Sequence, residues 1–223
     1  MVDPSTGVDH VLDVVLSPER IHSMEPARSA PSGLWLVPGI TDMHVHLRVP
    51  GGENAETLET GLKAAAAGGV AAIGMMPNTM PPMDRVPMVL DIMSQADKIS
   101  PVRIQPVPCV TMERKGDRCV DFEAFAREGI TAFTDDGSPV SRDDVLLEAL
   151  ERLAPLSGTI IEHPEVEEAA RGGAVNQGEA SRVTGAGGIP ESAEYDDVDR
   201  CISILEKAPR GAKLHLTHLS SPR

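Results

Sequence analysis

Two histidines stand two residues apart in an apolar stretch of the chain, within "PGITDMHVHLRVPGGE" at residues 38–53. Side chains alternate between the faces of a β-strand, so a strand here would place His44 and His46 on the same face. Two imidazoles on one face can supply half of the ligands of a zinc ion. Because a pair of hydrogen-bonded core histidines would give the same pattern, other segments must decide between a metal site and a core.

Further side chains that can bind a metal follow three other apolar segments. They are Asp135 and Asp136 in "ITAFTDDG", His163 in "GTIIEHPE", and His215 and His218 in "KLHLTHLSS". Each has an ordinary structural role open to it singly, as a turn, loop or core residue. Together, at the ends of predicted strands, they favour a metal site. His215 and His218 differ in strand parity, so without a β-bulge only one can be a ligand, and the pattern leaves open which.

The elements that must position these residues alternate between short apolar segments and longer helical ones. Strands are predicted within 36–47, 70–78, 102–110, 130–137, 158–165 and 213–221, and helices within 55–69, 84–99, 121–129, 141–155 and 192–208. Several of these helices begin near Ser or Asp and end near Gly or Pro. Such alternation is typical of βα units with a parallel sheet.

The predicted fold class is therefore α/β. Six strands are two fewer than a closed (β/α)8 barrel needs, so residues 38–223 are predicted to form an incomplete TIM-type barrel. Residues 1–37, which contain short strand-like pieces and a loop at 25–33, are predicted to form part of a small β-sandwich. The glycine-rich segment 166–190 is predicted as a loop insertion after the fifth strand, where barrel enzymes place binding loops.

Composition excludes several classes of partner. With 34 acidic and 20 basic residues, a net charge of -14 and 2% aromatic residues, the chain lacks the basic patches and stacking platforms that bind nucleic acid. No stretch approaches the length of a membrane span, and no basic segment with an apolar run opens the chain, so a cytoplasmic protein is predicted. Cys109, Cys119 and Cys201 show no C-x-x-C spacing and are predicted to be reduced thiols.

Seven motifs occur in an order that resembles the dihydroorotase family of the amidohydrolase superfamily, in the bacterial class with Asp-Asp-Gly at the fourth strand. They are "PGITDMHVHLRVPGGE", "ETGLKAAAAGGVAAIGMMPNTMP", "AFTDDG", "EHPE", "GGAVNQGEAS", "GIPESAE" and "LHLTHLSS", and the resemblance extends over the chain from about Leu34. It implies one or two zinc ions. The implied metal ligands are His44, His46, Asp136, His163 and His218.

The resemblance also implies a substrate and a reaction. The implied substrate-binding residues are His46, Arg48 and Asn78, of which Arg48 and Asn78 would hold the free carboxylate; a guanidinium fork suits a planar carboxylate. The implied reaction is the reversible cyclisation of N-carbamoyl-L-aspartate to L-dihydroorotate, with water activated by the metal. The family's acid/base aspartate, in a D-H-A-P-H type motif at the eighth strand, has no counterpart in these 223 residues. We expect it in a C-terminal part of a longer protein.

Two other functions stay open. Some dihydroorotase-like chains are non-catalytic scaffolds for aspartate transcarbamoylase, and an association with that enzyme or with a second copy of this chain is compatible with the sequence. Decayed scaffolds lose metal ligands, whereas this chain retains every ligand that its length should hold. A related cyclic amidase, such as an allantoinase or hydantoinase, is disfavoured because those enzymes lack the Asp-Asp-Gly and usually carry a lysine at the fourth strand.

Overall fold

The protein is described from a computed structural model, which covers residues 1–29 and 33–221. The chain divides into two compact units, Met1–Ile40 and Thr41–Arg223. The boundary predicted from sequence, after residue 37, lies slightly earlier. Residues 30–32 of the predicted loop at 25–33 lie outside the described residues, as do residues 222–223.

The first unit contains four short strands. β1 (Val2–Asp3) pairs with β2 (Val8–Asp9), and β3 (Leu12–Leu16) pairs with β4 (Ile21–Pro26), both antiparallel. Each pair forms a separate two-stranded sheet. The backbone amide of Val2 also donates to the carbonyl oxygen of Leu36 at 2.8 Å, which ties the end of this unit to its beginning.

The second unit contains two three-stranded sheets. One has the order β5 (Ile40–Val45), β6 (Val70–Met75), β7 (Arg103–Pro106), and the other the order β12 (Leu214–Leu216), β9 (Thr159–Glu162), β8 (Ala132–Phe133). β6 is parallel to β7, and β9 is parallel to both β8 and β12. These six strands are the six predicted from sequence, so the prediction of an α/β fold with parallel sheets is confirmed.

The two sheets approach one another at the ends of β7 and β8. The backbone amide of Thr134, just after β8, donates to the carbonyl oxygen of Pro108, just after β7, at 2.8 Å. The segments that follow the strands of both sheets therefore come together in one region of this unit.

Five helices lie where the sequence predicts them. They are α1 (Leu58–Ala67), α2 (Val86–Ile99), α3 (Phe122–Arg127), α4 (Asp143–Leu153) and α7 (Ser192–Leu205). Thr57 and Thr60 form a capping box at the start of α1, and Asp121 caps α3 by accepting from the amide of Ala124 at 2.9 Å. In the described part of the chain, no helix is both long and apolar enough to cross a membrane.

The core of the second unit is mostly aliphatic, as the composition requires. The chain's three phenylalanines are collected in it: the ring of Phe133 lies 4.8 Å from that of Phe122 and 5.6 Å from that of Phe125, both edge to face. All three are fully buried. These edge-to-face contacts pack α3 against β8, the strand that leads into the Asp-Asp-Gly turn.

The glycine-rich segment 166–190 follows β9, the fifth predicted strand, and it contains short elements that the sequence does not indicate. It contains α5 (Glu167–Ala170), β10 (Val175–Asn176), α6 (Glu179–Thr184) and β11 (Gly188–Ile189), and β10 pairs with β11 in parallel. Glycine permits this packing, because a side chain at Gly187 would overlap the carbonyl oxygen of Gly172. The sequence does not indicate these short elements because they depend on close backbone contacts that leave no periodic pattern.

Candidate metal centre

Four histidines and one aspartate lie at the ends of strands or just after them. His44 is the penultimate residue of β5 and His46 follows that strand, while Asp136, His163 and His218 follow β8, β9 and β12. The strands at these positions belong to both sheets, which meet at this end. The structure thus brings together all five residues that the resemblance implies as ligands.

The carboxylate of Asp136 lies at the middle of the cluster, with its side chain 6% exposed. Four imidazole nitrogens surround it: His44 Nε2 at 3.4 Å, His46 Nε2 at 3.5 Å, His163 Nδ1 at 3.9 Å and His218 Nε2 at 3.5 Å. His46 approaches Oδ2, and the other three approach Oδ1. Both carboxylate oxygens therefore face imidazoles.

The spacing of these atoms suits a shared metal ion. His163 Nδ1 lies 3.2 Å from His218 Nε2, and ligand atoms of His44, Asp136 and His218 all lie within 4.8 Å of one another. Two nitrogens bound to one tetrahedral zinc at about 2.05 Å lie roughly 3.3 Å apart. The 3.2 Å between these two nitrogens, and the 3.4 and 3.5 Å from Asp136 Oδ1 to His44 and His218, are close to that value, so this group of residues could hold a metal ion.

The surroundings of His44 favour its neutral form, which is the form that binds a metal. Burial lowers the pKa of His44 below its usual 6.5, and the nearby carboxylate of Asp136 opposes this only in part. An imidazole must be neutral to bind a metal, so a lowered pKa reduces the competition from protons.

Contacts of the two adjacent aspartates differ. Asp135 is 2% exposed and turns toward the segment after β7, where it accepts from the amides of Val110 at 2.9 Å and Thr111 at 3.1 Å and from the Thr111 hydroxyl. Burial raises the pKa of Asp135 to about 6, although these hydrogen bonds oppose the rise. With both of its oxygens engaged there, Asp135 holds the turn while Asp136 faces the histidines.

Arg114 supports the same turn from outside it. Its guanidinium donates to the carbonyl oxygens of Asp135, at 3.3 Å, and Asp136, and to the Ser138 hydroxyl at 3.0 Å. Sequence reasoning missed Arg114 and Thr111. No signal in the segment 111–118 could have found them, because their roles come from contacts with residues more than twenty positions away.

The two histidines near the sixth strand separate clearly. β12 ends at Leu216, so His215 lies inside the strand and is exposed, while His218 lies beyond it with a left-handed φ of 37°. The parity argument assumed that both residues were in the strand, and that assumption is wrong. The turn after the strand brings His218, rather than His215, to Asp136.

The two residues implied to hold the substrate carboxylate differ in their surroundings. The side-chain oxygen of Asn78, just after β6, lies 2.8 Å from His46 Nδ1. This contact requires a proton on Nδ1 and leaves the lone pair of Nε2 directed at Asp136. Arg48 is exposed with a φ of 61°, and its side chain makes no hydrogen bond or ion pair with the residues that the structure describes. Arg48 is therefore available to an anion.

Comparison with known proteins gives the chain a family. A family model described as "Dihydro-orotase-like" matches residues 33–223. A dihydroorotase of Bacillus pumilus is 39% identical over 189 residues, which cover 85% of this chain and 44% of that protein. A dihydroorotase of Syntrophobacter fumaroxidans is 35% identical over 233 residues, covering 99% of this chain and 53% of that protein. The chain spans about half the length of the curated relatives that it matches.

Solved structures share the fold. An L-hydantoinase from Arthrobacter aurescens superposes with a TM-score of 0.69 at 19% identity, covering 95% of this chain and 50% of that one. A dihydroorotase from Saccharomyces cerevisiae, in complex with 5-fluoroorotic acid, gives a TM-score of 0.55 at 19% identity, covering 81% of this chain and 48% of that one. The fold, the ordered motifs and the family match agree, and the chain belongs to the dihydroorotase-like family.

Proposed function

We propose that this chain is the metal-binding part of a dihydroorotase, and that the whole protein catalyses the zinc-dependent, reversible cyclisation of N-carbamoyl-L-aspartate to L-dihydroorotate. The observation that carries the proposal is the convergence of four imidazole nitrogens on the Asp136 carboxylate, at 3.4 to 3.9 Å. That convergence occurs in a chain whose sequence relatives are dihydroorotases. As part of the same proposal, the two three-stranded sheets supply six of the eight strands of a β/α barrel.

The donor set supports zinc as the metal. Imidazole nitrogens with one carboxylate are typical of catalytic zinc sites, and no cysteine thiolate takes part. The proposed ligands are His44, His46, Asp136, His163 and His218. Five donors, with the two oxygens of Asp136 facing different histidines, are compatible with one ion or two. When bound, zinc supplies Lewis-acid polarisation of the amide carbonyl and activation of water.

The chain's own residues would prepare the site for that chemistry. Asn78 would fix the tautomer of His46, since its side-chain oxygen would accept a hydrogen bond from Nδ1–H and so keep Nε2 free for the metal. Arg114 and Asp135 hold the turn that directs the Asp136 carboxylate toward the histidines. The exposed guanidinium of Arg48 offers a fork of donors to the substrate carboxylate, which would orient the substrate over the metal.

Proton transfer would need a group from elsewhere in the whole protein. Ring closure takes a proton from the attacking nitrogen and gives one to the departing oxygen, which calls for an acid/base residue within hydrogen-bond reach. The residues described around Asp136 would all be metal ligands or their supports. We therefore assign the acid/base role to an aspartate in the sequence that the longer relatives contain and these 223 residues do not.

Retention of all five donors favours an enzyme over a non-catalytic scaffold. The test is metal analysis and dihydroorotate turnover of the full-length protein, with the variants His44→Ala and Asp136→Ala. His215→Ala is the matched control, since it removes an exposed histidine from the same region. We expect zinc and turnover to be lost in the first two and retained in the control. Zinc content unchanged in both ligand variants would refute the proposal.

A further inference from the structure

The start of helix α7 lies against the two loops that carry His163 and His218. After His163, the amide of Glu165 donates to Asp197 Oδ2 at 3.1 Å, and the amide of Val166 donates to the carbonyl oxygen of Ala193 at 2.7 Å. Asp197 and Ala193 are one helical turn apart. The His163 loop is thus attached to α7 at two points.

Glu194 makes the corresponding attachment for His218. Its Oε2 accepts from the amide of Ser220 at 2.7 Å and from the Ser220 hydroxyl at 3.1 Å, and its Oε1 accepts from the amide of Ser221 at 2.6 Å. Burial alone would raise the pKa of Glu194, but the hydrogen bonds from Ser220 and Ser221 outweigh it and lower that pKa, so the carboxylate is held in its charged form. The left-handed φ of His218 is uncommon for a residue other than glycine and needs such support.

The helix that holds both loops is itself anchored. Asp197 is 3% exposed, and its Oδ1 accepts from Arg200 Nε at 2.6 Å. Arg200 also donates to Asp143 at the start of α4, at 3.0 Å, and to the carbonyl oxygen of Val140, at 3.0 Å. The carboxylates of Glu194 and Asp197 therefore occupy fixed positions three residues apart on one rigid element.

Hydrogen bonds tie the backbones of the two loops to α7. A cavity of about 130 Å³ lies between α7 and the loops, and His163, His218 and Glu194 are among its lining residues. The separation of 3.2 Å between His163 Nδ1 and His218 Nε2 then depends on where the loop backbones are tied.

We infer that Glu194 and Asp197 are positioning residues, which set His163 and His218 at the spacing that a metal ion requires. This inference rests on the proposed metal centre. It gives a role to the motif "GIPESAE", which ends at Glu194 and which the ligand set leaves unexplained. Neither carboxylate touches the proposed metal site; each acts through the backbone that follows a ligand.

The test uses Glu194→Gln and Asp197→Asn in the full-length protein. Each keeps the size of the side chain, but an amide has one acceptor oxygen, so donors that met the second oxygen lose their partner. Glu191→Gln is the matched control: it removes the same charge from the same helix start, is exposed, and has no side-chain hydrogen bond within the described ranges. Zinc affinity is measured by chelator competition, and folding by urea denaturation. The absorption spectrum of the cobalt(II)-substituted protein reports the geometry of the metal site.

We expect Glu194→Gln and Asp197→Asn to weaken zinc binding about 10- to 100-fold and to change the cobalt spectrum, with the control unchanged. If Asp197→Asn fails to fold, Glu194→Gln decides, because Glu194 is only half-buried and its two hydrogen bonds with Ser220 are exposed. Affinity and spectrum equal to the control would overturn the inference while the metal centre stands. Zinc binding that survives both His44→Ala and His218→Ala would overturn the metal centre and this inference with it.

Discussion

Glu162 is a buried carboxyl whose ionisation should make the stability of the protein depend on pH. It ends β9 with 1% of its surface exposed. Its Oε1 accepts from the amide of Val140 at 2.9 Å, and its Oε2 has no hydrogen-bond partner among the described residues. Burial raises the pKa of Glu162 to about 8, the Val140 amide opposes this, and the negative charge of Asp197 adds to it.

The sign and size of the effect follow from proton linkage. In the unfolded chain a glutamate ionises near its usual value of 4.5, so between there and about 8 the folded state binds one proton more. The contribution of protonated Glu162 to the free energy of unfolding is complete below pH 4.5 and is lost as the pH rises through about 8. The slope is at most about 1.4 kcal/mol per pH unit, so roughly 2.5 kcal/mol of unfolding free energy should be lost between about pH 5 and pH 7.

Glu162→Gln removes this ionisation and leaves an acceptor for the Val140 amide. We expect the unfolding free energy of the variant, minus that of the natural protein, to increase by roughly 2.5 kcal/mol between about pH 5 and pH 7. The assay is urea unfolding followed by far-UV circular dichroism, with a chelator present so that no metal contributes. Glu151→Gln, which is exposed on α4, controls for the loss of one charge. A difference that does not change with pH would refute the reasoning.

Two further predictions concern packing. Gly74→Ala should lower the unfolding free energy by about 1–3 kcal/mol, because the added methyl group would overlap the backbone oxygen of Met43 on the adjacent strand; urea denaturation that shows no loss would mean that β5 and β6 are less closely paired. Phe133→Ala should cost about 3–5 kcal/mol, because it removes the ring that joins the other two phenylalanines. Phe133→Leu should cost less, and equal costs for the two variants would contradict a volume effect.

Much of the fold could be predicted from local patterns. Six strands and five helices of the second unit were predicted from apolar periodicity and capping residues, because alternating apolar and helical segments give a local signal even where the strand itself is as short as Ala132–Phe133. The segment 166–190 carried no such signal. Its short elements are stabilised by contacts between residues that are not neighbours in sequence, such as the pairing of Val175 with Gly188.

The candidate site divides in the same way. The sequence by itself determined the family and the residue types at the strand ends, since those depend only on which residues occur and in what order. Only the tertiary structure decided that Asp135 turns to Thr111 while Asp136 faces the histidines, and that Glu194 holds the loop of His218. Such contacts join residues far apart in the chain, such as His218 and Asp136, which are 82 positions apart, and the chain order does not specify the distances at which they meet.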